Sequence, residues 1–260
     1  MLVVYLGSLA ILFASAFWTV NPLTGFVERQ FSLQNFQTMA SDPVYRTIAI
    51  RTVLMSAAVT ATDIALAFPL AYYAARLASP RMRSALVIAV VLPLWSSYLV
   101  RVFAWLTILE DDGPAQSLLR FFHINVQLIY TNWGVWLTFT YLWLPFVLLP
   151  IYASLERIPG SFLEASGDLG AKGWTTFRRI VLPLALPGIV AGSIFSFSLT
   201  LGDYITPTLA GSTRFIGNVI KDFSGVANNL PFAAAYAFVP ATIMAVYLFV
   251  AKKLGAFEAL

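Results

Sequence analysis

Long apolar stretches constrain this chain more than any other feature of its sequence. The hydrocarbon core of a bilayer is about 30 Å thick, so a helix that crosses it needs about 20 predominantly apolar residues. Six stretches approach this length: Leu2–Val20, Thr52–Leu77, Ser84–Leu109, Trp133–Tyr152, Ile180–Leu201 and Pro231–Val250. We therefore predict an all-α membrane protein with six transmembrane helices, in a single domain over residues 1–260.

The scarcity of charge supports this prediction and excludes several functions. Only 11% of the residues are charged, whereas soluble domains carry about 25%. The chain has no cysteine and a single histidine, His123, which argues against thiol catalysis and zinc sites. It lacks the glycine-rich loop of a P-loop ATPase, and no basic run interleaved with aromatic residues suggests nucleic acid. We expect no catalytic residue and no metal ligand.

Lysine and arginine in the loops predict the orientation, because cytoplasmic loops carry an excess of both. One set of helix ends holds nine of them, against six on the other set. The richer side is predicted to be cytoplasmic, with both termini on that side. The triplet Ala14–Ala16 resembles a signal-peptidase site, but no positive residue precedes the apolar run, as a signal peptide requires. Whether the first span is retained or is removed as a signal peptide stays open.

The predicted cytoplasmic loop 154–179 is the most polar part of the chain. Pro159-Gly160 indicates a turn, and Ser161 with Glu164 has the spacing of a capping box, which predicts a helix beginning there. Gly170 is placed to end that helix. Four residues fall on one face of it at helical spacing: Phe162, Ala165, Ser166 and Leu169. Arg178 and Arg179 lie on a second helical segment that leads into the fifth span.

A helix this short is not stable alone, so its apolar face must be buried. It packs either on its own loops and the lipid surface, or in a groove of a partner protein.

The loop resembles the signature loop of permease subunits of binding-protein-dependent ABC importers. The matching residues are Glu164-Ala165-Ser166, then Gly170, then Ile180-Val181-Leu182-Pro183; Ser166 replaces the second alanine of the pattern. The resemblance implies the type I ABC importer permease fold. It also implies that the short helix is a coupling helix between spans 4 and 5. Its contact with the ATPase would involve Phe162, Glu164, Ala165, Ser166, Leu169 and Gly170, unless Glu164 is only a capping residue.

The same resemblance implies an assembly in a bacterial inner membrane. Two copies of an ATPase subunit would bind ATP and Mg²⁺, so this chain would bind no cofactor and would not be an enzyme. A second homologous permease would complete the pathway, with a heterodimer expected and a homodimer left open. A binding protein would deliver the substrate from outside. The acidic stretch Glu110–Gly113 either helps that protein dock or is simply solvated.

Further stretches resemble the spermidine/putrescine branch of the family: Leu92–Leu109, Leu201–Gly211 and Phe215–Phe223. They imply a polyamine substrate. Related importers of opines, amino-acid derivatives, iron or sulfate share parts of these stretches and remain alternatives. A secondary transporter would need paired repeats and ion-coordinating carboxylates in broken helices, and a membrane enzyme would need a catalytic cluster. No repeat and no such cluster is visible in the sequence.

A polyamine is a polycation with a hydrocarbon spine, so its path calls for carboxylates and aromatic faces. The candidates are Asp203 and Tyr204 after the fifth span, Trp95 and Tyr98 in the third, and Asp63 in the second. The alternative role of the aromatic residues is packing. The alternative for Asp203 is that it is a carboxylate at a helix end. Asp63 lies at a depth that Arg101 of the third span can reach, so a structural ion pair between the two is the alternative for Asp63.

Overall fold

A computed structural model describes residues 2–21 and 23–253, which form thirteen α-helices and one two-stranded antiparallel hairpin. In chain order they are α1 (Leu2–Ser15), β1 (Thr19–Val20), β2 (Val27–Glu28), α2 (Gln34–Ser41), α3 (Pro43–Tyr72), α4 (Pro80–Val91), α5 (Tyr98–Leu109), α6 (Pro114–Phe121), α7 (Asn132–Glu156), α8 (Gly160–Asp168), α9 (Gly173–Thr176), α10 (Leu182–Gly202), α11 (Ile205–Ala210), α12 (Ile216–Ser224) and α13 (Leu230–Lys253). A π-helical turn, Tyr73–Leu77, extends α3, and another, Phe177–Val181, joins α9 to α10.

Four helical segments of the described chain are long and apolar enough to cross a membrane: Pro43–Leu77, Asn132–Glu156, Gly173–Gly202 and Leu230–Lys253. Each contains one of the predicted stretches. A fifth crossing is possible if the bent pair Pro80–Trp95 and Tyr98–Phe121 is counted as one span. The prediction of an all-α membrane protein is confirmed, but the count of six continuous spans is not.

The first predicted span, Leu2–Val20, is helical only over α1. The 14 residues of α1 cover about 21 Å at 1.5 Å per residue, less than the bilayer core. The chain then turns into the hairpin, in which Thr19 pairs with Glu28 and Val20 with Val27. The helix ends because the next residues are recruited into tertiary contacts: the Asn35 amide donates to the Ala16 and Trp18 carbonyls at 2.9 and 2.8 Å.

The third predicted span, Ser84–Leu109, is broken in the middle. Its two parts meet at an angle of 103°. Leu92–Trp95 is a 3₁₀ turn containing Pro93, and Ser96 and Ser97 are both extended. The Ser97 hydroxyl accepts the Val100 amide N–H at 3.3 Å and caps α5 as a new helix. Proline cannot donate the amide that a continuous helix needs, so the break has a local cause.

The second predicted span begins nine residues earlier than expected, at Pro43 instead of Thr52. Asp42 explains this start: its carboxylate accepts the Val44 amide N–H at 2.9 Å, and Pro43 occupies the first helical position. Elsewhere, prolines lie inside the long helices: Pro69 in α3, Pro145 in α7, Pro187 in α10 and Pro240 in α13.

The helix α7 is the centre of the bundle and packs against both α3 and α10. At the end nearest α8, the three helices share a core that includes Ala71, Leu155 and Val181. The approach of α10 to α7 is close at two glycines one turn apart. A methyl group at Gly188 would lie 2.4 Å from the Pro150 carbonyl oxygen, and one at Gly192 would lie 2.9 Å from Val147. Small residues four apart are the usual means of close helix packing in membranes.

Candidate coupling helix and candidate translocation site

The predicted short helix of the loop is α8, and it ends where the sequence indicated. Gly170 has a φ of 73°, a value that favours glycine. The Ala171 amide donates to the Ser166 carbonyl at 3.0 Å, and the Gly170 amide to the Gly167 carbonyl at 2.8 Å. These two bonds form a Schellman motif. The helix α8 therefore ends at Gly170, as predicted.

The start of α8 differs from the prediction. Pro159 is the N-cap residue, and no side chain caps the helix. Ser161 lies inside the first turn, so the predicted capping box with Glu164 does not form. The extended conformation of Pro159 already directs the chain into the helix two residues before the predicted cap. Glu164 is exposed on the surface and free for another role.

The two faces of α8 have different environments. On the inner face, Leu163 packs against the core shared by α3, α7 and α10. Ser166 is also buried, and its hydroxyl is 2.8 Å from the Thr176 hydroxyl. The outer face is open: Phe162 is half exposed and Leu169 is 87% exposed. Ser166, for which a partner contact was predicted, hydrogen-bonds to its own chain in this structure.

Both halves of the signature motif border one groove of about 910 Å³ between α8, α9 and the start of α10. Its lining includes Ala165, Ser166, Leu169, Gly170, Ile180 and Pro183. Near it, Trp174 is 71% exposed and stacks on Phe177. An apolar surface of this kind, beside charged residues such as Lys172 and Arg179, is typical of a protein interaction site.

The candidate residues of the translocation path divide between two places. Asp203 follows α10, and one carboxylate oxygen accepts the Ile205 amide N–H at 2.7 Å. The other accepts the hydroxyl of Tyr98 from α5. Tyr98 is also 2.6 Å from the Thr206 hydroxyl and stacks on Trp143. The fold thus brings Tyr98 and Asp203 together although 105 residues separate them.

Aromatic surface surrounds this carboxylate. Tyr204, next to Asp203, is 40% exposed, and the Lys221 ammonium lies 5.6 Å from the centre of its ring. Trp95 is 87% exposed and lies in the 3₁₀ turn, three residues before Tyr98. The helix break therefore places both candidate aromatic residues of the third predicted span, Trp95 and Tyr98, at an interruption.

Asp63 belongs to a different environment. Its side chain is fully buried, and one oxygen accepts the Ser196 hydroxyl of α10 at 2.6 Å, while the other has no hydrogen-bond partner. Ser196 precedes Asp203 by seven residues, about 10 Å along a helix. The two candidate carboxylates are therefore about two helical turns apart along α10.

The predicted ion pair between Asp63 and Arg101 is not present. The ion pairs of the described chain are Arg83–Glu156, Arg120–Asp112 and Arg214–Asp222. Asp63 faces α10 through Ser196, whereas Arg101 lies on α5, which packs on α7 and α11. The prediction considered only how deep Asp63 and Arg101 lie in the membrane. The rotation of each helix about its axis turns the two side chains to different neighbours. In the acidic stretch Glu110–Gly113, the Asp112 carboxylate lies 3.9 Å from the Arg120 guanidinium, which also donates to the Asp111 carbonyl at 2.6 Å.

Sequence reasoning missed a polar network at the end of α7. The Arg76 guanidinium donates to the carbonyls of Leu155 and, at 2.6 Å, of Ile158. Arg83 donates to the Ala74 and Ala75 carbonyls and pairs with Glu156. Sequence analysis counted both arginines only as indicators of orientation. No spacing rule links Arg76 to α7, since its acceptors are backbone carbonyls, and the pair of Arg83 with Glu156 joins residues 73 positions apart.

These features define a class of protein: a multi-pass helical membrane component with an exposed helix between two of its membrane-crossing segments. Comparison with known proteins agrees. The chain is 44% identical to the inner membrane ABC transporter permease protein YdcU of Escherichia coli over 99% of this chain and 87% of that protein. It is 30% identical to the spermidine/putrescine transport system permease protein PotB of Escherichia coli over 86% of this chain and 83% of that protein.

Among solved structures, a bacterial ABC transporter that imports the acidic polysaccharide alginate matches with a TM-score of 0.72 at 17% identity, covering 98% of this chain and 91% of that one. The model of the family described as "Binding-protein-dependent transport system inner membrane component" matches residues 67–255. The chain belongs to this family. It is the permease component of an ABC importer and not an enzyme; in such importers the ATPase is a separate subunit.

Proposed function

We propose that this chain forms half of the translocation pathway for a polyamine such as putrescine or spermidine. The observation that carries the proposal is Asp203, a partly exposed carboxylate that forms no ion pair within the described residues, is hydrogen-bonded by Tyr98 and is followed by the 40% exposed side chain of Tyr204. The likeness to PotB supports the same substrate class. YdcU carries no substrate in its name, and the alginate importer shares the fold with an acidic substrate, so neither argues for a cation.

The chemistry of a polyamine fits this position. A primary ammonium pairs with a carboxylate and is attracted to an aromatic face, each such cation–π contact contributing about 0.5–2 kcal/mol. Lys221 provides an internal example, because its side chain is an ammonium on a four-carbon stem and lies over Tyr204. The substrate would replace Lys221 at this ring and reach Asp203 with the same end.

Substitution of Asp203 by asparagine tests the substrate proposal. The amide keeps the shape but loses the charge, and a charge-assisted hydrogen bond contributes about 1.5–3 kcal/mol, so we expect uptake of labelled putrescine to fall at least about tenfold. Glu28→Gln, which removes an exposed carboxylate in the hairpin before α2, serves as the control and is expected to keep normal uptake. Normal uptake by Asp203→Asn, or an equal loss in both variants, would contradict the role of Asp203.

The exposed face of α8 leads to the second part of the proposal. Phe162, Leu169 and the groove beside them form the docking surface for an ATPase subunit, with Glu164 available at its edge.

Two ATPase copies would bind the ATP and Mg²⁺, and this chain would bind neither. A second permease subunit, in a heterodimer, would supply the other half of the pathway. An extracytoplasmic binding protein would deliver the substrate. The face of α8 and both termini would then lie on the cytoplasmic side.

The absence of cysteine allows a direct test of this docking. A single cysteine at Leu169 is expected to cross-link to the co-expressed ATPase with a short bifunctional reagent, because its side chain points away from the chain's own core. A cysteine at Val226, which is 91% exposed in the loop between α12 and α13, is the matched control and is expected to give no such product. Cross-linking at Val226 but not at Leu169 would overturn the assignment.

A further inference from the structure

The coupling helix α8 has a covalent connection to only two of the membrane-crossing helices. The chain enters α8 from α7 and leaves it through α9 and the π-helical turn into α10. The long helix α3 packs against both α7 and α10 but is remote in sequence. Any displacement of α8 reaches α3 only through side-chain contacts.

The apolar contacts at this end of α3 are made by small side chains. Ala67, Ala71 and Ala75 belong to one core cluster with Leu155 and Ile158, and apolar contacts are non-directional. Hydrogen bonds are directional and tolerate little displacement. The side chain of Arg76 supplies such bonds at this contact.

Arg76 lies in the π-helical turn that ends α3, and one of its terminal nitrogens donates to two carbonyls. The acceptors are Leu155, in the last turn of α7, and Ile158, the residue before Pro159. Ile158 comes two residues, and Leu155 five residues, before Gly160, the first residue of α8. The guanidinium therefore joins the end of α3 to the point where the chain enters the coupling helix.

Arg83 reinforces this connection from α4. It donates to the carbonyls of Ala74 at 3.1 Å and Ala75 at 3.3 Å, two neighbouring residues of the π-helical turn. It also pairs with Glu156 at 3.3 Å, and Glu156 accepts the Tyr152 hydroxyl at 3.0 Å. An ion pair this exposed adds little stability, but together the bonds join α3, α4 and α7 at one level.

We propose that Arg76 is a positioning residue that makes α3 move as one body with the coupling helix, so that the ATPase cycle drives the membrane helices together. This inference rests on the proposed role of α8. Loss of the Arg76 side chain would leave α8 able to bind the ATPase, since Arg76 is absent from the docking surface. It would, however, let α8 and α7 move without α3. Rigid-body switching of packed helices needs such fixed contacts.

The test uses the assembled transporter with spin labels on cysteines at Leu77 and Gly167, both exposed positions. The distance between the labels is measured with and without ATP and Mg²⁺. We expect one narrow distribution, unchanged by nucleotide, in the parent protein and in Arg81→Gln, an exposed arginine of the same region. In Arg76→Gln the distribution is expected to broaden or shift on nucleotide addition.

Transport provides the second readout. In Arg76→Gln, substrate uptake per ATP hydrolysed is expected to fall about tenfold, the loss that corresponds to one charge-assisted hydrogen bond. ATPase binding is expected to persist. Arg76→Lys retains a cationic donor and should be intermediate, and it replaces the glutamine variant if that one fails to assemble. Values equal to those of Arg81→Gln in both readouts would overturn the inference. A parent protein that does not retain the ATPase would instead refute the role of α8.

Discussion

Replacing Gly188 with leucine is expected to abolish the folded protein. The helices α7 and α10 approach so closely at this position that an added methyl group alone would lie 2.4 Å from the Pro150 carbonyl oxygen and 2.4 Å from the Ser154 hydroxyl. The carbonyl belongs to the backbone of α7, so it cannot rotate away. Overpacking of a tight contact costs about 1–3 kcal/mol for small additions and more for large ones. A leucine would separate the two central helices.

Alanine at the same position gives the graded form of this prediction. Gly188→Ala should lower the melting temperature of the detergent-solubilised protein, and Gly188→Leu should yield no monodisperse protein. Gly202, on the same helix, is the matched control because a methyl group there meets no atom within 4 Å. Gly202→Ala is expected to melt like the parent protein. Equal melting temperatures for the two alanine variants would show that the contact between α7 and α10 is looser than described.

The largest functional effect is expected from Leu169→Asp. This side chain is 87% exposed, so its replacement changes the stability of the chain itself by no more than about 0.5 kcal/mol. If α8 inserts into the ATPase, the same side chain becomes a buried apolar anchor. Truncating an anchor of this kind costs about 2 kcal/mol or more, and a buried unpaired carboxylate adds to that cost. The variant should therefore fold normally but lose the ATPase.

Co-purification of the ATPase and substrate uptake are the two measurements. Both are expected to fall by at least about thirtyfold in Leu169→Asp, the factor that corresponds to an anchor residue of about 2 kcal/mol. Val226→Asp introduces the same charge at an equally exposed apolar position in the loop between α12 and α13 and should behave like the parent protein. Retained ATPase with normal uptake in Leu169→Asp would refute the proposed coupling role of α8.

Several features were predictable because their cause is local. The apolar stretches behind α3, α7, α10 and α13 are continuous in sequence, and their length alone predicts helices that cross a membrane. Gly170 ends α8 because a residue at positive φ is needed there. The break at Ser96 could also have been predicted. Pro93 is a signal for the end of one helix, and the serines three and four residues later are a signal for the start of the next. A search for small residues four apart would likewise have found Gly188 and Gly192.

The sequence by itself therefore determined the class of the protein, its family and the existence of a short exposed helix between two membrane-crossing helices, because apolar length and motif spacing are properties of contiguous residues. Only the tertiary structure decided the partners of the polar side chains. It pairs Tyr98 with Asp203, Ser196 with Asp63 and Arg76 with the end of α7. Those pairings depend on how each helix is rotated about its axis and shifted along its neighbours, and packing of the whole bundle sets both quantities.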